Sequence, residues 1–258
     1  MLPAVVCALT ASALLPGCAA LRSYQSRVAA EESFAEGAKA VARNDLATAR
    51  EEFRQALDAT PDSAGLHARI GLAYMPRLGE DFMRLEPAAA ARALPHLERA
   101  LELDPKQPYP VYLQAIFAAA RLGRESRARA VLDAAATCFH DDGMALNDIG
   151  YLLVDANLLN AEALPMLERA VELEPKSGII LDSLGWAHYR LGNLRRAADM
   201  LETASDLARG NAEIEYHLGV VYAELGRFND ARAQFNRALE IAPSFGRART
   251  ALQALENY

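Results

Sequence analysis

From Ala49 onward the apolar positions of the chain recur in a fixed figure: an Ala, a bulky residue four positions later, and a second Ala three after that. The figure appears as Ala49, Phe53, Ala56, then as Ala93, Leu97, Ala100 and as Ala128, Leu132, Ala135. It returns as Ala163, Leu167, Ala170, as Ala197, Leu201, Ala204 and as Ala231, Phe235, Ala238. A spacing of i, i+4, i+7 places all three residues on one helical face. Successive first alanines lie 44, 35, 35, 34 and 34 residues apart, so a short module is repeated along the chain. The near copy of ALPHLERALELDP (Ala93–Pro105) in ALPMLERAVELEP (Ala163–Pro175) says the same, because no single globular core would require it.

Upstream of most figures a second helix is marked by a bulky residue followed by Gly: Ile70-Gly71, Ile149-Gly150, Leu184-Gly185 and Leu218-Gly219, with Gly37 alone in the first unit. Gly and Ala let two helix backbones approach closely. Leu, Ile and Phe then fill the space between them, at about 1.5–3 kcal/mol per buried side chain. Gly123, Gly192 and Gly226 sit where the first helix must end, and Asn44-Asp45 offers a cap for the second helix of the first unit. Pro61, Pro105, Pro175 and Pro243 stop the second helix of four units. Each unit therefore predicts a helical hairpin, and the fold class is all-α. The third unit departs from the rule with Ile116 in place of Gly and His140 in place of Pro, and the fifth ends in Arg209.

This figure of Gly, Ala, bulky residue, Ala and Pro resembles the tetratricopeptide repeat, from Ala30 to Pro243. The resemblance divides the chain into six repeats at 30–61, 64–105, 109–140, 143–175, 178–209 and 212–243, with a capping helix at 246–257. It implies a right-handed superhelical solenoid with a long concave groove. One hairpin cannot bury its own apolar face, so stability comes from stacking. The second repeat carries an insertion at 75–87 (MPRLGEDFMRLEP) with Phe82 and Met83. It reads equally as a functional loop or as a spacer folded on its own hairpin.

The amino terminus has another character. Met1 to Leu21 holds no charged side chain, and Ala4–Leu15 (AVVCALTASALL) is an apolar run ending in Pro16-Gly17-Cys18. The run is shorter than the roughly 20 residues a membrane-spanning helix needs, and matches the core of a secretory signal peptide. Leu15-Pro16-Gly17-Cys18 resembles the lipobox of bacterial lipoproteins, which implies a signal peptide at 1–17, lipidation of Cys18 and a tether at 18–29. Pro16 beside the cleavage point and the lack of Lys or Arg ahead of the run depart from that pattern. The other reading is a buried or membrane-spanning helix, which Pro16-Gly17 would break near one end. Ala19, where an Asp would favour inner-membrane retention, implies an outer-membrane protein facing the periplasm. With Cys7 in the leader, Cys138 is left alone in the mature body, where it reads as a small buried hydrophobe.

Charge and motif content narrow the function. The balance of 27 Lys plus Arg against 34 Asp plus Glu, a net charge of −7, repels phosphate backbones, so nucleic acid is not an expected partner. No P-loop, H-E-x-x-H, C-x-x-C, G-x-S-x-G or G-x-G-x-x-G occurs, so no catalysis, cofactor or small-molecule substrate is expected. His67, His96, His140, His188 and His217 are scattered, with no two at a short ligand spacing. Cys138, His140, Asp141 and Asp142 mix ligand types, but read as a helix end, a turn and an N-cap. Arg121, Arg124, Arg127 and Arg129 read as a solvated face.

In tetratricopeptide proteins ligands lie along the first helix of each hairpin, on the face turned from the packed Gly and Leu. On this chain that face carries Asn147, Tyr151, Asp155, Asp182, Trp186, Tyr189, Arg190 and Tyr216. Aromatic and Arg side chains of this kind are the ones enriched in binding hot spots. Trp186 and Tyr189 either face the groove or fill space between hairpins; the mixture of the Asp182 carboxylate with aromatics favours the groove. The Lys and Asn clamp of some co-chaperones is missing apart from Asn147. The expectation is an envelope-anchored scaffold or adaptor that holds a protein or peptide in its groove and serves assembly of a pilus, secretin or polysaccharide-export complex. An adaptor docking a cell-wall hydrolase is the alternative, and an enzyme with an unrecognised site a distant third.

Overall fold

The computed structural model describes residues 16–76 and 85–255, with side chains from residue 23 onward. The apolar run at the amino terminus, the Cys18 side chain, Phe82 and Met83 of the insertion, and residues 256–258 lie outside the described residues.

Among the described residues the chain forms helices only, paired in sequence as hairpins. The first hairpin is α1 (Pro16–Ala42) with α2 (Leu46–Ala59), and the second is α3 (Ala64–Ala73) with α4 (Pro87–Leu103). Next come α5 (Tyr109–Arg121) with α6 (Glu125–Cys138), and α7 (Gly143–Asp155) with α8 (Asn160–Leu173). The last two pairs are α9 (Gly178–Arg190) with α10 (Leu194–Leu207), and α11 (Ala212–Glu224) with α12 (Phe228–Ile241), followed by α13 (Gly246–Ala254) as a cap. No described helix is long and apolar enough to cross a membrane.

The repeated apolar figure is the seam of each hairpin. All twelve of its alanines are fully buried, and the bulky residue between them, from Phe53 to Phe235, is at most 2% exposed. Opposite that residue stands the Gly of the first helix. A Cβ on Gly37 would lie 2.6 Å from Phe53, on Gly71 2.6 Å from Leu97, on Gly150 2.7 Å from Leu167, on Gly185 2.9 Å from Leu201 and on Gly219 2.6 Å from Phe235. Such separations are far inside van der Waals contact, so each close approach requires glycine. The third hairpin has Ile116 there, fully buried, and its two helices accommodate a whole side chain at the crossing.

Three hairpin bends use Gly123, Gly192 or Gly226 at left-handed φ of 69°, 80° and 75°. The fourth bend is built without glycine: Asn157 and Leu159 take left-handed φ of 53° and 51°, which for Leu159 costs roughly 1–2 kcal/mol. Asp45, Ser63, Asp142, Ser177 and Asn211 cap the helices that follow them through side-chain oxygens.

Residues 18–29, expected as a tether, are helical and continuous with the first hairpin. Their Ala, Leu, Arg and Gln are helix formers with no Gly or Pro among them, and Pro16 occupies the first helical position, where its missing N–H costs nothing. Tyr24 and Val28 are exposed on this extension.

The apolar core is continuous from Ala30 to Ala187, and a second apolar cluster begins at Ala197 and ends at Leu255. The second cluster joins α10 to α11 and α12, and buried polar groups lie beside it on α9, α10 and α11: Asp182, Ser183, Ser205, Glu215 and His217 are all within 9% of full burial. Ser205 Oγ donates to Glu215 Oε1 at 2.9 Å.

Candidate functional site

The first helices of the last hairpins stack side by side, so equivalent positions line up along one wall. Asn147, Asp182 and Tyr216 are such equivalents, as are Tyr151 with Trp186 and Asp155 with Arg190. Tyr151, Asp155, Tyr189, Arg190 and Tyr216 are half-buried, each presenting part of its side chain to solvent.

Asn147, Asp182 and Trp186 are not on open surface: their exposures are 3%, 5% and 4%. Trp186 fills the space between hairpins five and six. Its ring stacks on His217 at 4.1 Å and 16° and on Tyr189 at 4.6 Å and 23°, and the Arg190 guanidinium lies 5.3 Å from its centroid. A carboxylate beside aromatics argued against a dry core, yet Asp182 is accommodated because His217 of the next hairpin meets it. His217 Nδ1 lies 2.9 Å and 3.1 Å from the two Asp182 oxygens. Paired and hydrogen-bonded, a buried carboxylate loses most of its desolvation penalty.

Beside this packed layer a polar bridge crosses the wall. Tyr151 Oη of α7 donates to Glu213 Oε1 of α11 at 3.0 Å, passing over α9. Arg247 of α13 donates to the same Glu213 oxygen at 2.5 Å, and its other terminal nitrogen stands 3.8 Å from Asp155. Arg190 Nη2 donates to the Asp155 carbonyl at 2.9 Å. Burial first, and then the Glu213 and Asp155 charges, push the Tyr151 phenol upward, so it stays a donor at neutral pH. Burial likewise raises Tyr189 and Tyr216.

Glu213, Arg247 and His217 are residues that sequence reasoning missed. A signal was available: Met144, Ile179, Glu213 and Arg247 are each the second residue of α7, α9, α11 and α13. At that register Met144 and Ile179 are 45% and 51% exposed, two of the few large apolar side chains that face water.

Elsewhere the structure corrects smaller expectations. Cys138 is exposed, with its thiol 3.3 Å from the Pro105 carbonyl, because α6 ends there at the solenoid edge. Arg121, Arg124, Arg127 and Arg129 are all exposed, as a solvated face requires, and from that face Arg121 donates to Leu85 O at 2.6 Å, Arg127 to Glu98 at 2.5 Å and Arg129 to Glu162 at 2.7 Å. His67 and His96, 29 residues apart, meet through their Nδ1 atoms at 3.1 Å beside a cavity of about 600 Å³. His67 Nε2 is 3.0 Å from the Pro61 carbonyl and donates to it. Asp142 caps α7, and among the described residues no group of three potential ligands surrounds a metal position.

Residues 183–244 match the tetratricopeptide repeat family. The fold is a tetratricopeptide-repeat solenoid. A stretch of 79 residues is 39% identical to the TPR repeat-containing protein PA4667 of Pseudomonas aeruginosa, covering 31% of this chain and 13% of that protein. The chain thus spans about an eighth of that relative's length. Over 92% of its residues the solenoid follows 45% of a chain in the APC/C hetero-tetramer Cut9-Hcn1, with a TM-score of 0.50 and 18% identity. It is also similar to YrrB, a TPR protein with an unusual peptide-binding site, over 78% of this chain and 97% of that one, with a TM-score of 0.48 and 22% identity. At such identities likeness to a structure speaks for fold alone. On the wall the His217 ring is fully buried and stacked on Trp186.

Proposed function

We propose that this scaffold is anchored in the cell envelope through lipid on Cys18 and holds a polypeptide along the inner wall of its fourth to sixth hairpins while a larger envelope complex assembles. The wall supports this reading by presenting Tyr151, Tyr189, Arg190 and Tyr216, half-exposed and in repeat register, on helices held rigid by their neighbours. Large aromatic groups bind with little loss of rotamer entropy, and Arg adds directed hydrogen bonds. The anchor rests on Leu15-Pro16-Gly17-Cys18. Several acyl chains, each contributing about 0.8 kcal/mol per buried CH₂, would hold such a protein at a bilayer.

Two measurements test the two halves. Membrane fractionation with mass spectrometry of the mature terminus should find acylated Cys18, and Cys18→Ala should leave the protein unprocessed or released. Retention of Cys18→Ala in the membrane without acyl label would remove the anchor. Replacing Tyr189 and Tyr216 together by Ala should abolish partner capture with helix content preserved; undiminished capture would remove the groove.

A further inference from the structure

We infer that Asp155, Glu213 and Tyr216 form a recognition site for an arginine side chain of a partner polypeptide, and that Arg247 of the cap helix occupies it in the free protein. The inference rests on the inner-wall reading above and names the chemistry of what that wall takes.

The site is assembled from hairpins that the sequence separates widely. Asp155 ends α7, Glu213 begins α11, and their carboxylates converge on one guanidinium, at 3.8 Å and 2.5 Å. Tyr151 orients the Glu213 carboxylate by donating to it at 3.0 Å. The guanidinium carbon lies 5.3 Å from the Tyr216 ring centroid and 5.4 Å from that of Phe245, within cation–π range. Two carboxylates at different angles and an aromatic face suit a planar fork of donors better than the point charge of a lysine.

Arg247 is a provisional occupant. Its side chain keeps 47% of its exposure, and Asp155 and Glu213 keep 40% and 41%. Ion pairs this open add little to stability, so an incoming guanidinium exchanges with Arg247 at small cost. Arg247 also belongs to α13, the last described helix, which packs on α12 and α11.

The test uses the full chain and N-acetyl-arginine amide, with the citrulline and lysine analogues as controls. Arg247→Ala should regain thermal stability on titration with the arginine probe, saturably in the millimolar range. The citrulline probe should bind at least tenfold more weakly, and Glu213→Gln added to Arg247→Ala should remove the response. The unaltered protein should respond at least threefold less than Arg247→Ala, since its site is filled. An equal response to citrulline, or one that survives Glu213→Gln, would overturn the inference. Either result leaves crosslinking from the tyrosines of the wall as a separate measure of whether a polypeptide binds there.

Discussion

His217 of the sixth hairpin and Asp182 of the fifth form a buried pair between α11 and α9, Nδ1 to carboxylate at 2.9 Å. Removing one member leaves the other unmatched out of water. His217→Phe keeps an aromatic ring under Trp186 and should cost about 3–5 kcal/mol, whereas His217→Phe with Asp182→Leu should recover most of that loss. Urea denaturation of the two variants checks the difference; equal stabilities would show that the pair is not the reason.

Trp186 is held on both ring faces and is 4% exposed. Trp186→Ala should therefore destabilise the solenoid by about 3–5 kcal/mol, which calorimetry would register as a large fall in Tm. An unchanged Tm with loss of partner binding would return Trp186 to the groove surface.

Two glycines near helix starts should respond with opposite signs to the same substitution. A Cβ on Gly178 meets Ala208 Cβ at 2.6 Å and the Ala204 carbonyl at 2.8 Å, whereas one on Gly65 meets nothing within 4 Å. Gly178→Ala should cost about 1–3 kcal/mol through overpacking. Gly65→Ala should gain about 0.5–1 kcal/mol from helix propensity. Paired unfolding curves decide it.

Burial first, and the neighbouring His67 second, push the His96 imidazole down from 6.5 to about 4. The unfolded chain takes up this proton at higher pH than the folded one, so the contribution of neutral His96 is complete above pH 6.5 and is lost as pH falls towards 4. The Tm of the protein should drop across that window more steeply than that of His96→Gln. Parallel curves would mean that His96 does not titrate against folding.

Much of the fold was legible because its determinants are local and recur. Ala163, Leu167 and Ala170 declare a helical face on their own, and Gly150 declares the backbone that packs on it. The inner wall was only partly legible. Tyr151, Asp155, Arg190 and Tyr216 do converge, but Glu213 and Arg247 reach them across one or more intervening hairpins, and such contacts depend on superhelical twist that no local spacing encodes. Asp182 and Trp186 misled for a related reason: the His217 that meets one at hydrogen-bond distance and stacks on the other lies a whole repeat away.

The central claim is that the wall formed by α7, α9 and α11 grips a polypeptide, and photo-crosslinking in cells tests it most directly. A photoreactive amino acid at position 189 or 216 should yield a discrete protein adduct. The same group at Asp199 or Asn236, exposed on the second helices of the same hairpins, should yield none. Adducts from 199 or 236 with none from 189 or 216 would contradict the account.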